Sequence, residues 1–126
     1  MLAKSKAFSG FAVDDLDAAQ KFYGETLGLD IEVLDESNGL LSLHLAGDRD
    51  TIVYAKPDHQ PANFTILNFP VDDIDATVDG LASQGVEFER YEGFDQDEKG
   101  IARDPGPLIA WFKDPAGNIL SVLQES

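Results

Sequence analysis

Apolar and polar positions follow the same series twice along this chain. Residues 8–13 and 65–71 are short runs rich in apolar and β-favouring side chains, which predicts a strand in each. Each run leads into an acidic turn, Asp14-Asp15 or Asp72-Asp73. Aspartate caps a helix through its side-chain oxygen, and its charge suits the positive end of the helix. Apolar residues then recur at helical spacing. Leu16, Ala19, Phe22, Tyr23 and Leu27 share one face of a first helix, and Ile74, Val78 and Leu81 share one face of a second. Gly28 and Gly85 stand where a helix end takes a left-handed residue.

Three strands are predicted after each helix. In the first half they cover residues 31–34, 40–45 and 51–55; in the second, 86–91, 108–113 and 119–123. Ser37-Asn38-Gly39, Gly47-Asp48-Arg49 and Pro115-Ala116-Gly117-Asn118 mark the turns. Residues 56–63, with Pro57 and Pro61, read as a linker. Residues 92–107 form the longest loop, and such loops are often lids or binding loops.

The repeat is explicit in the letters. Val13-Asp14-Asp15-Leu16-Asp17-Ala18 returns 58 residues later as Val71-Asp72-Asp73-Ile74-Asp75-Ala76. A unit that recurs with its own cap, helix and glycine stop is the building block of the fold. The expectation is an α+β fold of two βαβββ repeats, about 6–56 and 63–124, in a single domain covering 1–126.

Composition narrows the function classes. The 126 residues suffice for one domain with a proper core. No apolar run approaches the roughly 20 residues that span a bilayer, and no apolar stretch follows Lys4 and Lys6 to make a signal peptide. A cytoplasmic location is the default expectation. Cysteine is absent, which excludes disulfides, thiolate catalysis and zinc–thiolate sites. With 24 acidic and 9 basic residues the formal charge is −15, so nucleic acid is repelled and a cationic ligand attracted. The plainer reading of the same charge is a solvated coat.

Phe112-Lys113-Asp114-Pro115-Ala116-Gly117-Asn118, the repeated acidic turn and Lys21-Phe22-Tyr23 followed by Leu27-Gly28 complete the pattern. In order and at repeat spacing, they resemble the vicinal oxygen chelate superfamily of glyoxalases, bleomycin-resistance proteins and extradiol dioxygenases. The resemblance spans nearly the whole chain. It implies that the strands of the two repeats form a curled mixed sheet around a ligand cleft, and it implies homodimers and, in many members, a divalent metal.

Carried over residue by residue, the metal positions of the resemblance fall on Phe8, Ile66, Ser121 and, from the repeat alignment, Val53. Apolar side chains offer a cation no lone pair, and a lone neutral serine is a poor ligand. No metal and no other cofactor is expected. The resemblance also turns Phe8, Ile66, Asn68 and Ser121 toward the cleft. Ligand-binding candidates are therefore Phe8, His44, Val53, Ile66, Asn68, Trp111 and Ser121. His44 shares a strand face with Ser42 and is the one candidate for general acid–base work; a structural or surface role is its plainer reading. Trp111 stacks on a flat or cationic ligand or packs in the core. Asp97, Glu98 and Arg103 read as solvated loop charges, with ligand gating as the alternative, and His59 as an exposed linker residue. The implied function is metal-independent binding of a small, partly apolar or cationic molecule. The alternative is a lyase or isomerase of glyoxalase type using a non-standard site.

Overall fold

The two acidic turns do what their sequence asks. Asp15 Oδ1 accepts a hydrogen bond from the Ala18 amide at 3.2 Å, and Asp73 Oδ1 accepts from Ala76 at 3.1 Å. Each aspartate thus satisfies an N–H that the first helical turn leaves unpaired. These caps start α1 (Leu16–Lys21) and α2 (Ile74–Ser83). The computed structural model describes residues 1–103 and 106–125 and divides them into two compact units, Met1–His59 and one beginning at Gln60.

In the first unit, α1 runs on into a π-helical turn, Phe22–Thr26, where the Leu27 amide donates to the Phe22 carbonyl. Around it stand β1 (Ser9–Val13), β2 (Asp30–Asp35), β3 (Leu40–Leu45) and β4 (Arg49–Ala55). The sheet order is β1-β4-β3-β2, with β1 parallel to β4 and the other pairs antiparallel. Val13, Leu41, Leu43 and Val53 are buried, as are Ala19 and Tyr23 of the helical segment. The Tyr23 ring lies 5.7 Å from that of Phe11. Each large apolar side chain in such a core contributes about 1.5–3 kcal/mol.

The second unit contains β5 (Thr65–Pro70), α2, β6 (Leu108–Lys113) and β7 (Ile119–Gln124), in sheet order β5-β7-β6. Helix α2 lies against β6 and β7. Ile74 and Val78 are buried with Ala110, Phe112, Leu120 and Val122. The turn into β7 closes on buried Asp114, which accepts from the amides of Ala116 and Asn118 and from the Asn118 side chain. Gly28 and Gly85 take φ of +72° and +93°, the left-handed stops that the helix ends require.

The expected curled mixed sheet around a cleft is not what forms. The strands fall into two separate hydrogen-bonded sheets, one of four and one of three strands. Among the described residues, only the first unit completes βαβββ. The strand predicted over 86–91 reduces to a single bridge, Phe88 to Phe112, with the Glu89 amide donating to the Trp111 carbonyl. Two features explain this. Ala102 takes both backbone bonds of Ile109, occupying the edge of β6 that the strand would extend along. The Gln96 side chain meanwhile accepts from the Tyr91 amide and donates to the Glu89 carbonyl, satisfying groups a neighbouring strand would otherwise need. Asp104 and Pro105 of the predicted long loop lie outside the described residues.

Candidate functional site

Residues pointing to one face of a sheet alternate along each strand. On β3 this puts Ser42 and His44 on the face opposite the buried Leu41 and Leu43. Cross-strand register then brings carboxylates to His44 from both sides. Asp50 on β4 lies directly opposite it, and Glu32 on β2 lies diagonally, opposite Ser42. His44 Nδ1 stands 2.9 Å from Asp50 Oδ1, and Nε2 stands 3.0 Å from Glu32 Oε1.

A neutral imidazole has one N–H donor, and two ionised carboxylates are pure acceptors. Both contacts are satisfied together by the imidazolium. The Asp50 and Glu32 hydrogen bonds accordingly raise the His44 pKa above its ordinary value, with the negative charges of Asp50 and Asp30 acting in the same sense. The same contacts favour the imidazolium over the neutral ring, which disfavours a general-base role. Glu32 and Asp50 were not among the sequence candidates. The signal for Asp50 was the Gly47-Asp48 hairpin turn between β3 and β4, which sets His44 against it; Glu32 depends on the separate β2–β3 register.

This clamp opens on a pocket of about 630 Å³ in the first unit. Phe8, Leu34 and Ile52 give its wall an apolar part. Glu32, Asp48, Asp50, Lys6 and Arg49 give it charge. Phe8, just before β1, is 72% exposed. Phe8 and His44 therefore meet in one pocket. Val53 does not join them. It is fully buried with the core, and its neighbour Ile52 takes the pocket side.

The second unit holds the other candidates. Ile66 sits at the register shift between Thr65 and Leu67, where β5 carries one more residue than β7. Asn68 pairs with Ser121, whose hydroxyl donates to the Asn68 amide oxygen at 2.6 Å. Trp111 pairs with Ser121 on the other side of β7, which fixes its face. Its ring is 5.4 Å from Tyr91 and 4.8 Å from Phe94, and only 8% of the residue is exposed. Packing thus claims Trp111. Burial, with help from the Glu89 charge, pushes the Tyr91 phenol pKa up.

Two of the loop charges, Asp97 and Arg103, are tied into the fold, and the Glu98 side chain is exposed. Asp97 accepts from the amides of Lys99 and Ile101 and from Arg103, and Arg103 also reaches Asp75 on α2. Glu98 contributes its carbonyl to Arg90. His59 is half-buried, with Nε2 shielded from solvent.

The metal that the resemblance implies does not fit these residues. Phe8, Val53 and Ile66 carry no donor atom, and the Ser121 hydroxyl is committed to Asn68. Among the described residues, no group of three or more His, Cys, Asp or Glu side chains is placed to hold a metal ion. Among them, too, no helix is long and apolar enough to cross a membrane.

Comparison with known proteins agrees with the repeat. The family model described as Glyoxalase/Bleomycin resistance protein/Dioxygenase superfamily matches residues 7–122. TnmS3, an antibiotic binding protein from Streptomyces sp. CB03234, is 26% identical with a TM-score of 0.73, covering 98% of each chain. A glyoxalase/bleomycin resistance protein from the same Streptomyces strain is 25% identical with a TM-score of 0.63, over 94% of this chain and 100% of that one. A glyoxalase family protein from Enterococcus faecalis is 22% identical with a TM-score of 0.69, over 98% and 99%. No curated protein matches the chain.

Proposed function

The chain belongs to the glyoxalase/bleomycin resistance protein/dioxygenase superfamily, and from that premise we propose that it binds a small, partly apolar, cationic molecule without a metal. One observation carries the reading. The pocket of the first unit joins exposed apolar side chains, Phe8 and Leu34, to the carboxylates of Glu32 and Asp50. An apolar wall with a few placed charges is the usual make-up of a small-molecule site. The net charge of −15 favours arrival of a cation. The antibiotic-binding relative at 26% identity supports a binding role.

Metal independence rests on the donor set, since the positions in question hold Phe8, Val53, Ile66 and Ser121. The homodimer that the family resemblance implies belongs to the same proposal, and light scattering tests it. The function itself is tested by titrating aromatic cations and their neutral isosteres, with and without chelator. Cation binding that survives chelator and is weakened by Phe8→Ala is expected. Binding that appears only with added divalent metal overturns metal independence. No binding by any member of the series overturns the site.

A further inference from the structure

The pocket already holds a group whose contacts favour a positive charge. Glu32 from β2 and Asp50 from β4 converge on His44, and both ring nitrogens are engaged. The other charged groups around it are Asp30, opposite His44 on β2, and Asp48, Arg49 and Lys6 on the pocket wall. An organic cation drawn to Glu32 and Asp50 must settle within a few ångströms of the imidazolium. Two like charges at that distance repel, and the histidine is the one that can discharge by losing a proton.

We propose that His44 is a built-in counter-ion, and that an organic cation with an apolar body binds between Glu32 and Asp50 in exchange for the His44 proton. The proposal rests on the binding reading above and names its ligand class. In the exchange the Nδ1–H or Nε2–H bond breaks, its proton passes to buffer, and the ligand's positive charge takes over the freed carboxylate. The neutral imidazole keeps one N–H donor for the other carboxylate and has a lone pair to accept a donor from the ligand. The apolar body lies on Phe8 and Leu34.

Linkage makes this measurable. If binding releases a proton, affinity for the cation rises with pH while His44 remains protonated in the free protein, at a limit of about tenfold per pH unit for one proton. A neutral ligand of the same shape has no such slope. By reciprocity the bound cation lowers the pKa of His44.

The test uses 2-naphthamidine, a cation, and 2-naphthamide, its neutral counterpart. Calorimetry in buffers of different ionisation enthalpy gives affinity and protons released. Nitrogen NMR of the His44 ring gives its titration with and without ligand. The expected result is amidine binding that tightens with pH, releases a proton and lowers the His44 titration, while the amide stays flat. In His44→Gln the amidine profile is flat too. Amidine binding with a level pH profile and an unmoved His44 resonance overturns the exchange and leaves the binding site standing. Failure of both compounds to bind, read by the same NMR signals, overturns the site and the exchange together. Preferential binding of the amide overturns the cationic ligand class.

Discussion

The Ser121 hydroxyl donates to the Asn68 amide oxygen at 2.6 Å, linking two polar groups across the parallel pair β5–β7. Ser121 is fully buried and Asn68 is exposed. Ser121 stands where the family resemblance puts a metal ligand, and the bond to Asn68 satisfies its hydroxyl internally. Ser121→Ala removes the donor but leaves the Asn68 oxygen free to take water, so a loss of about 1 kcal/mol is expected. Ser121→Glu restores a carboxylate but buries it with no cation to pair, at a cost of several kcal/mol. Neither variant should gain stability from zinc or manganese. Thermal melts with and without each ion check this; metal-dependent stabilisation of Ser121→Glu would contradict the absence of a latent site.

The His44 clamp makes stability depend on pH in a definite direction. The folded pKa is raised above the ordinary value of 6.5, chiefly by the Asp50 and Glu32 hydrogen bonds. The folded state therefore holds the proton more tightly than the unfolded chain. Its stabilising effect is complete below the unfolded value and is lost as pH rises through the folded one. Wild type should thus lead His44→Gln in urea stability on the acid side of this window, and the lead should shrink on the alkaline side. Salt should reduce the lead as well, since the carboxylates are largely exposed. A lead that grows with pH would show that the imidazole is held neutral.

How much of this was legible from sequence depends on range. The caps at Asp15 and Asp73 and the stops at Gly28 and Gly85 are local, and the repeated letters place them directly. The family was legible for the same reason, because its motifs are turns. Sheet registers are not local. The repeat alignment lands on Val53, yet the parallel pairing of Gly10 with Ile52 puts the adjacent residue on the pocket side. One residue of slip exchanges the two faces of a strand. The Glu32–His44–Asp50 contact needs two registers at once, so a lone histidine in the sequence did not disclose its partners. The strand predicted over 86–91 fails through competition, because Ala102 holds part of the β6 edge. The curled sheet fails with it, since curvature was inferred from family resemblance rather than from any pairing signal in the residues.

The two helix caps offer a paired test of the repeat. Asp15→Ala and Asp73→Ala each delete one bond to a first-turn amide, Ala18 or Ala76. Each should cost about 1 kcal/mol, while Asn at either position should retain most of the stability. Chemical denaturation gives the values. A cost near zero at one site would mean that water replaces that cap and that its aspartate persists for another reason.

The last prediction concerns the loop that leads toward β6. Asp97 Oδ1 accepts from the amides of Lys99 and Ile101, while Oδ2 accepts from Arg103 Nε at 2.7 Å. Arg103 also donates to Asp75 Oδ1 at 2.6 Å, and Lys99 reaches both Asp75 and Asp79 on α2. For Asp75, the Arg103 hydrogen bond leads in lowering the pKa against partial desolvation. For Asp97, burial is the largest influence and acts upward, but Arg103 and the two amides together outweigh it. Both depressed values mean stabilisation that is present above the ordinary carboxylate pKa and lost as pH falls through the folded one. Arg103→Ala should therefore leave the core intact yet speed amide exchange at Lys99 and Ile101, because Asp97 loses the partner that fixes its orientation. Arg103→Lys can keep one ionic contact but not both, since the fork of the guanidinium spans the two aspartates. It should fall between wild type and alanine. Hydrogen exchange followed by NMR checks the order. Unchanged protection in Arg103→Ala would show that Lys99 and the Asp97 backbone bonds hold the loop without the bridge.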